Sequence, residues 1–267
     1  MKQSFLVVIA LLCSITISAQ NIAVKGSDTM LPLVKELAET YMHEHNNCSV
    51  NVSGGGSVYG IEGLQNGSAQ IAMCSRSLTS QEVSSLPSIN KVTIAFDALT
   101  IIVHSSNNVD HLSQHQLELI FSGVIKNWKE VGGIDMPIQV LTRNEKSGTC
   151  GFLKKKVLKG KAITANAKVM NSNASIVDRV SETRGAIGYV GLAHVVEAVK
   201  PLAVSWDGKN YIRPTFKNAI EKKYPIMRPL YYYFNGSDAQ RLKGFQEFTL
   251  SSEGQRIASF NGYIPAR

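Results

Sequence analysis

Hydrophobic and polar positions along the chain form short strand-like runs that alternate with segments of helical spacing. Leu33, Leu37 and Tyr41 recur every four residues after a short apolar run and a Gly-Ser turn, which predicts an amphipathic helix. Val50 and Val52 then alternate before a glycine-rich turn and a short helix, and the apolar run AQIAMC leads into a third turn and helix. Three strand–turn–helix units in succession predict an α/β domain with a largely parallel sheet.

The pattern changes at two further apolar runs, Val92–Phe96 and Leu99–Val103. The helical segments that follow, the strands IQVLTR and RGAIGYVG, and the turn NEKSGT predict a second α/β unit over residues 99–224. From Pro225 onward the pattern predicts a strand and two helices. Because no low-complexity linker separates these parts, the sequence predicts two lobes joined by more than one crossing segment.

The first 19 residues have the pattern of a secretory signal peptide. A positive charge precedes the apolar core Phe5–Leu12, and small residues end the segment at Ala19. The apolar stretch is too short to cross a bilayer comfortably, so we expect cleavage near Ala19 and export to the periplasm rather than a membrane anchor. Lipid attachment through Cys13 is disfavoured, because the large Leu12 precedes it.

Composition narrows the class of protein. Of 267 residues, 44% are hydrophobic and 18% are charged, which excludes a disordered chain. The net charge of +8 suits an anionic ligand, nucleic acid or a membrane surface, and does not choose among them. Beyond the predicted cleavage site three cysteines remain, Cys48, Cys74 and Cys150, at spacings that match no disulfide framework or zinc site. We interpret them as small packing residues, with a disulfide as the less favoured alternative.

Four turns share one design, in which a strand ends, Ser, Thr or Gly residues follow, and a helix begins. Such a turn offers backbone N–H groups and hydroxyl donors at the positive end of a helix, and any single one is better explained as a helix cap without a ligand. Four of them, with two arginines whose planar guanidinium groups suit oxyanions, favour a small tetrahedral oxyanion as ligand. The four turns are Gly26–Thr29, Gly54–Ser57, Ser75–Ser77, and Arg143 with Ser147–Thr149.

An enzyme, such as a phosphatase, is the main alternative class. The histidine pairs His43/His45 and His111/His115 lack the H-E-x-x-H arrangement of a zinc hydrolase, and no Gly-x-Ser-x-Gly nucleophile turn occurs. We therefore predict no catalytic residues, no metal and no cofactor. Nucleic-acid binding is also disfavoured, because the basic residues are dispersed and the chain carries an export signal.

The chain resembles the phosphate-binding proteins of Pst-type ABC importers, which belong to the periplasmic binding protein superfamily. The resemblance rests on GSDTMLPLVKELAE, SGGGSVYGI, IAMCSRSLT, IFSGVIKNWKEVGG, TRNEKSGT and RGAIGYVG, and it spans essentially all of the chain after residue 19. It implies two α/β lobes (type II), formed by residues 20–98 with 225–267 and by residues 99–224, joined by two hinge crossings. It also implies a monomer that captures inorganic phosphate between the lobes and delivers it to a membrane permease. Sulfate, arsenate or molybdate as ligand, and a sensing role, remain alternatives.

The same resemblance implies a set of ligand-binding positions. They are Thr29 and Met30 in the first turn, Ser57 in the second, Ser75 and Arg76 in the third, and Arg143, Ser147, Gly148 and Thr149 in the second lobe. Glu145 stands where the family often has a carboxylate that orients the arginine.

One position departs from part of the family. Some members have an aspartate at the position of Arg76, and that aspartate accepts the proton of phosphate and repels sulfate. With arginine at this position, either another group accepts the proton or the discrimination against sulfate is weaker. Asp28 is the nearest carboxylate in sequence, and a helix-capping role for Asp28 is an equally good alternative.

Overall fold

The structure is a computed structural model that describes residues 20–267. The predicted signal peptide and Cys13 lie outside the described residues. Within residues 20–267, no helix combines the length and the apolar character needed to cross a bilayer.

Helices and strands alternate along the chain. The strands are β1 (Gln20–Gly26), β2 (Cys48–Ser53), β3 (Ile71–Cys74), β4 (Ile89–His104), β5 (His111–Ser113), β6 (Gln139–Arg143), β7 (Lys168–Met170), β8 (Ala186–Gly191), β9 (Val199–Pro201), β10 (Ala203–Ser205), β11 (Met227–Asn235) and β12 (Ile264–Pro265). The helices are α1 (Leu31–Glu44), α2 (Ser57–Gln65), α3 (Ser80–Ser84), α4 (Gln114–Ser122), α5 (Gly148–Lys156), α6 (Asn173–Glu182), α7 (Phe216–Ile220), α8 (Ala239–Leu250) and α9 (Ser252–Phe260).

The main sheet runs in the order β2-β1-β3-β11-β4-β8-β6-β7, with β9 and β12 also pairing with β4. The strands within each end of the sheet are parallel to one another, as predicted. At one end β1 pairs in parallel with β2 and β3, and at the other β6 pairs in parallel with β7 and β8. We call the elements around β1, β2 and β3 the first lobe, and those around β6, β7 and β8 the second lobe. The molecule thus has the two-lobed α/β fold expected from the sequence.

Two long strands connect the lobes. β4 pairs antiparallel with β11 along its first half and with β8 along its second half. The apolar runs Val92–Phe96 and Leu99–Val103, read separately in the sequence, therefore belong to one continuous strand. Asp97 interrupts the apolar pattern without interrupting the strand, because it is fully buried and pairs with Arg228 of β11 directly opposite.

Each lobe has its own hydrophobic core. In the first lobe, the face of α1 that carries Leu33 and Leu37 packs with β1, β3 and α8, which confirms the helix predicted from the four-residue spacing. In the second lobe, β8 packs with α4 and α5 around Phe121 and Tyr189. Cys74 and Cys150 are buried, and they and Cys48 are free thiols. Burial raises the pKa of Cys74 to about 12, so it is a packing residue rather than a reactive thiolate.

Parallel strands bring their carboxyl ends to one edge of the sheet, where the following helices begin. β1, β2 and β3 end on the side of the first lobe that faces the second lobe, and β6 and β7, which run in the opposite direction, end on the side of the second lobe that faces the first. The four turns predicted from the sequence therefore face one another across the gap between the lobes.

Candidate anion-binding site

Hydroxyl groups from both lobes meet in the gap between the lobes. The Thr29 and Thr149 Oγ1 atoms, from opposite lobes, lie 2.8 Å apart. The Ser75 amide donates to Ser57 Oγ at 3.2 Å. Thr29, Ser57, Ser75 and Thr149 are each at most 1% exposed, so these polar groups are buried between the lobes rather than on the surface.

Gly148, at the start of α5, lies against two of these hydroxyls. A Cβ atom at this position would overlap Ser57 Oγ and would lie 2.7 Å from Ser75 Oγ. Only glycine allows the first turn of α5 to come this close to the first lobe. Because the amides of Gly148 and Thr149 lie in the first helical turn, they have no acceptor within the helix and are available to an anion.

Several hydroxyls of the site already accept a hydrogen bond, which leaves their own proton to donate. Ser57 Oγ accepts from the Ser75 amide, and Ser147 Oγ caps α5 by accepting from the Cys150 amide at 3.3 Å. Ser75 Oγ is buried and has no hydrogen-bond partner among the described residues. Buried polar atoms are nearly always paired in folded proteins, so this set of donors fits a ligand with several acceptor oxygens.

Arg143 reaches across the gap from the end of β6. Its Nη2 donates to Asp28 Oδ2 of the first lobe at 2.6 Å and to the Asn171 carbonyl at 2.9 Å, while Nε donates to the Met170 carbonyl at 3.2 Å. The Arg143 side chain is 1% exposed and that of Asp28 is 16% exposed. The guanidinium is therefore fixed at the gap between the lobes.

The carboxylate that holds Arg143 is Asp28, and not Glu145 as the sequence predicted. Glu145 is exposed and accepts hydrogen bonds from Lys154 Nζ at 2.6 and 2.7 Å. It follows Arg143 by two residues on a turn that carries it away toward α5. The helix-capping alternative for Asp28 is wrong, because its Oδ1 accepts from the Gly55 amide at 2.9 Å and makes no cap bond to α1.

Two further predicted ligand groups lie elsewhere. Arg76 forms a two-point ion pair with Glu82 at 2.6 and 2.7 Å, so its guanidinium is directed toward α3. This hydrogen bond raises the pKa of Arg76. Arg76 lines a cavity of about 470 Å³ together with Phe152, Lys155 and Arg228. The Met30 amide donates to the Ser27 carbonyl at 3.1 Å and is not free for a ligand.

A buried network that was not predicted from the sequence lies beneath Thr29. Arg228 Nη2 lies 3.3 Å from Thr29 Oγ1, and its guanidinium is held by Asp97. The Thr29 carbonyl accepts from Tyr263 Oη at 2.6 Å and lies 3.1 Å from His194 Nε2. An arginine and an aspartate inside two otherwise apolar strand runs were the signal that could have identified this network.

The fold and these motifs are shared with known proteins. A family model for the PBP superfamily domain matches residues 16–253. The chain belongs to the PBP superfamily. Among its relatives, the phosphate-binding protein PstS of Bacillus subtilis is 30% identical over 246 residues, covering 92% of this chain and 80% of that protein. The PstS of Pseudomonas aeruginosa is 29% identical over 267 residues, covering 92% and 83% respectively.

Solved structures of this superfamily superpose well on the chain. A substrate-binding protein of Clostridium perfringens, solved with bound phosphate, matches with a TM-score of 0.85 and 30% identity, covering 92% of this chain and all of that one. An ABC-type phosphate transport receptor from Vibrio cholerae matches with a TM-score of 0.77 and 33% identity, covering 91% and 99%.

Proposed function

We propose that this PBP-superfamily protein captures inorganic phosphate between its lobes and delivers it to the membrane permease of an ABC importer. The observation that carries the proposal is the buried set of donors, contributed by both lobes, around Thr29, Ser75, Gly148 and Thr149, with Arg143 fixed beside it. The names and the bound phosphate of the relatives support the same ligand.

The donor set explains how a phosphate ion would be held. Hydroxyls of Thr29, Ser57 and Ser75 approach from the first lobe, and the amides of Gly148 and Thr149 approach from the second. Arg143 adds a full positive charge, and the α5 N-terminus adds the positive end of a helix dipole. Because each lobe already holds its own donor groups in position, little reorganisation within a lobe is needed on binding.

We propose that Asp28 accepts the proton of hydrogenated phosphate. Its two oxygens accept from Arg143 and Gly55, and each oxygen retains a second lone pair. Because Arg143 would contact the anion, the carboxylate beside it lies next to an oxygen of that anion. A fully ionised sulfate has no proton to donate there, and it would meet a negative charge. The site thereby favours phosphate over sulfate.

Residues 20–98 with 225–267 and residues 99–224 are proposed as the two lobes that close on the ligand. These boundaries fall within β4 and just before β11. We also propose export through cleavage near Ala19 and a monomeric binding protein. A ligand that contacts both lobes stabilises the closed arrangement by its higher affinity for that arrangement.

The proposal is tested by calorimetric titration of phosphate and of sulfate into desalted protein comprising residues 20–267. One phosphate should bind per chain with a dissociation constant in the low micromolar range or below, and sulfate should bind far more weakly. An absence of phosphate binding at about 1 mM ligand would contradict the proposal.

A binding role also predicts that the protein catalyses no turnover. The donors are arranged around a ground-state anion, and Ser147 Oγ is occupied as the cap of α5 rather than activated by a base. Purified protein should release no phosphate from p-nitrophenyl phosphate above background. Sustained release that is lost in Ser147→Ala would indicate a phosphatase instead.

A further inference from the structure

We propose that Arg228 is a second cation of the anion site, and that it orients the Thr29 hydroxyl as a donor to the bound anion. This inference rests on the proposed phosphate binding. In this proposal Arg228, on the hinge strand β11, supplies the second positive charge of the site. The sequence had predicted that charge at Arg76.

The first observation is where the guanidinium points. Arg228 lies on β11 with a fully buried side chain. Its Nη2 lies 3.3 Å from Thr29 Oγ1, and its Nη1 lies 3.4 Å from the Ser75 carbonyl. One end of the guanidinium thus faces two turns that contribute donors to the site.

The second observation is how the guanidinium is held. Asp97 Oδ2 accepts from Arg228 Nε at 2.9 Å and from Nη2 at 2.7 Å. The other carboxylate oxygen of Asp97 accepts from the Leu192 amide at 3.1 Å. Asp97 is therefore a positioning residue that fixes the plane of the guanidinium and leaves its far end directed at Thr29 and Ser75.

The consequence for Thr29 follows from hydrogen-bond chemistry. Arginine only donates, so Thr29 Oγ1 must accept from Arg228. The Thr29 hydroxyl then has its own proton free to donate, and in the structure its neighbour is Thr149 Oγ1 at 2.8 Å. An anion oxygen placed between the lobes would take this proton, and the hydrogen bond would be strengthened by the buried positive charge behind it.

Arg228 also touches the second lobe. Its Cζ lies 5.6 Å from the centre of the Phe152 ring on α5. The guanidinium thus lies where the hinge strand, the first-lobe turns and α5 meet, which is the position from which a charge acts on an anion held between the lobes.

Arg76 shows that closeness in sequence to a site residue does not by itself place a guanidinium in the anion site. Arg76 directly follows Ser75, yet its guanidinium is engaged by Glu82 of α3. Arg228 is 153 residues away from Ser75 in the chain, yet it contacts the Ser75 carbonyl.

The test is a double-variant cycle between Arg228 and Thr29, measured as the dissociation constant for phosphate. Arg228→Lys keeps the charge and loses the forked geometry, and we expect binding to weaken about tenfold or more. In a Thr29→Val background, where the hydroxyl is absent, the same change should weaken binding by less than about threefold. A purely structural role would give equal weakening in both backgrounds, and that result would overturn the inference.

A second variant addresses loss of folding. Asp97→Asn combined with Arg228→Gln removes both charges of the buried pair and keeps a polar side chain at each position, so no uncompensated charge is buried. Phosphate binding should weaken while thermal unfolding stays cooperative, and wild-type affinity in this variant would overturn the inference. Arg256→Lys, at an exposed pair with Glu253, is the matched control and should bind phosphate normally. Failure of the wild-type protein to bind phosphate would overturn the proposed function itself, whereas normal binding by the Arg228 variants would overturn only the role of Arg228.

Discussion

Arg143 and Asp28 form an ion pair between the two lobes, with Arg143 Nη2 2.6 Å from Asp28 Oδ2. The two residues are 115 positions apart in the chain. Each is also held within its own lobe, Arg143 by the carbonyls of Met170 and Asn171, and Asp28 by the Gly55 amide. The pair therefore joins two pre-positioned groups, and it places a positive and a negative charge together at the edge of the proposed anion site.

Arg143→Ala should abolish phosphate binding at low micromolar concentration while the fold survives. Loss of one partner of a buried, hydrogen-bonded charge pair costs about 2–5 kcal/mol, which is roughly 30- to 4000-fold in affinity. Calorimetric titration measures the loss. Arg179→Ala, at an exposed arginine of α6, is the matched control and should leave binding unchanged. An unaltered dissociation constant in Arg143→Ala would exclude this residue from the site.

Asp28→Asn should narrow the preference for phosphate over sulfate. The asparagine side chain keeps an oxygen that can accept from the Gly55 amide, but it loses the negative charge that repels sulfate and accepts the phosphate proton. Competition titrations with the two anions give the ratio of dissociation constants in both proteins. If the ratio is the same in wild type and variant, the discriminating acceptor is another group.

The four turns could be predicted from the sequence because their chemistry is local. A strand end followed by Ser, Thr or Gly and a helix start fixes where N–H groups and hydroxyls lie. The direction of a long side chain depends on which partner lies within its reach, and the turn pattern does not show that. Arg76 was predicted to bind the anion, yet it turns to Glu82 because a two-point ion pair is available six residues away. Glu145 turns in the same way to Lys154.

The hinge network was missed for a different reason. Arg228 and Asp97 are 131 residues apart, and their pairing depends on the register between β11 and β4. A single sequence does not give that register. It does show a charge in each of two apolar runs, and burial of a charge is costly unless it is paired. Because of that cost, the two charged residues could have been predicted from the sequence to pair with each other.

Stability between pH 7 and pH 5.5 should depend on His194. Burial lowers its pKa from the usual value of 6.5, with Arg228 and Arg143 acting in the same direction and the Thr29 carbonyl and Asp97 opposing. The unfolded chain therefore binds the proton more readily than the folded protein does, so the free energy of unfolding falls as the pH drops below about 6.5. His194→Gln should reduce this fall, as measured by denaturant unfolding at both pH values. His115→Gln, at an exposed histidine of α4, should leave it unchanged. An identical pH dependence in His194→Gln and wild type would show that His194 titrates normally.

Gly148→Ala should separate folding from closure of the lobes. The added methyl group would overlap Ser57 Oγ and crowd Ser75 Oγ, both across the gap, whereas α5 itself accommodates alanine readily. The variant should keep a cooperative thermal transition but should neither bind phosphate tightly nor close.

Small-angle scattering gives the measurement: saturating phosphate should reduce the radius of gyration of the wild-type protein and leave that of Gly148→Ala unchanged. Gly236→Ala, at the far end of β11 from the hinge, is the control and should close as wild type does. Ligand-driven closure is excluded if phosphate does not change the wild-type radius, and the close approach at Gly148 is unimportant if Gly148→Ala binds and compacts normally.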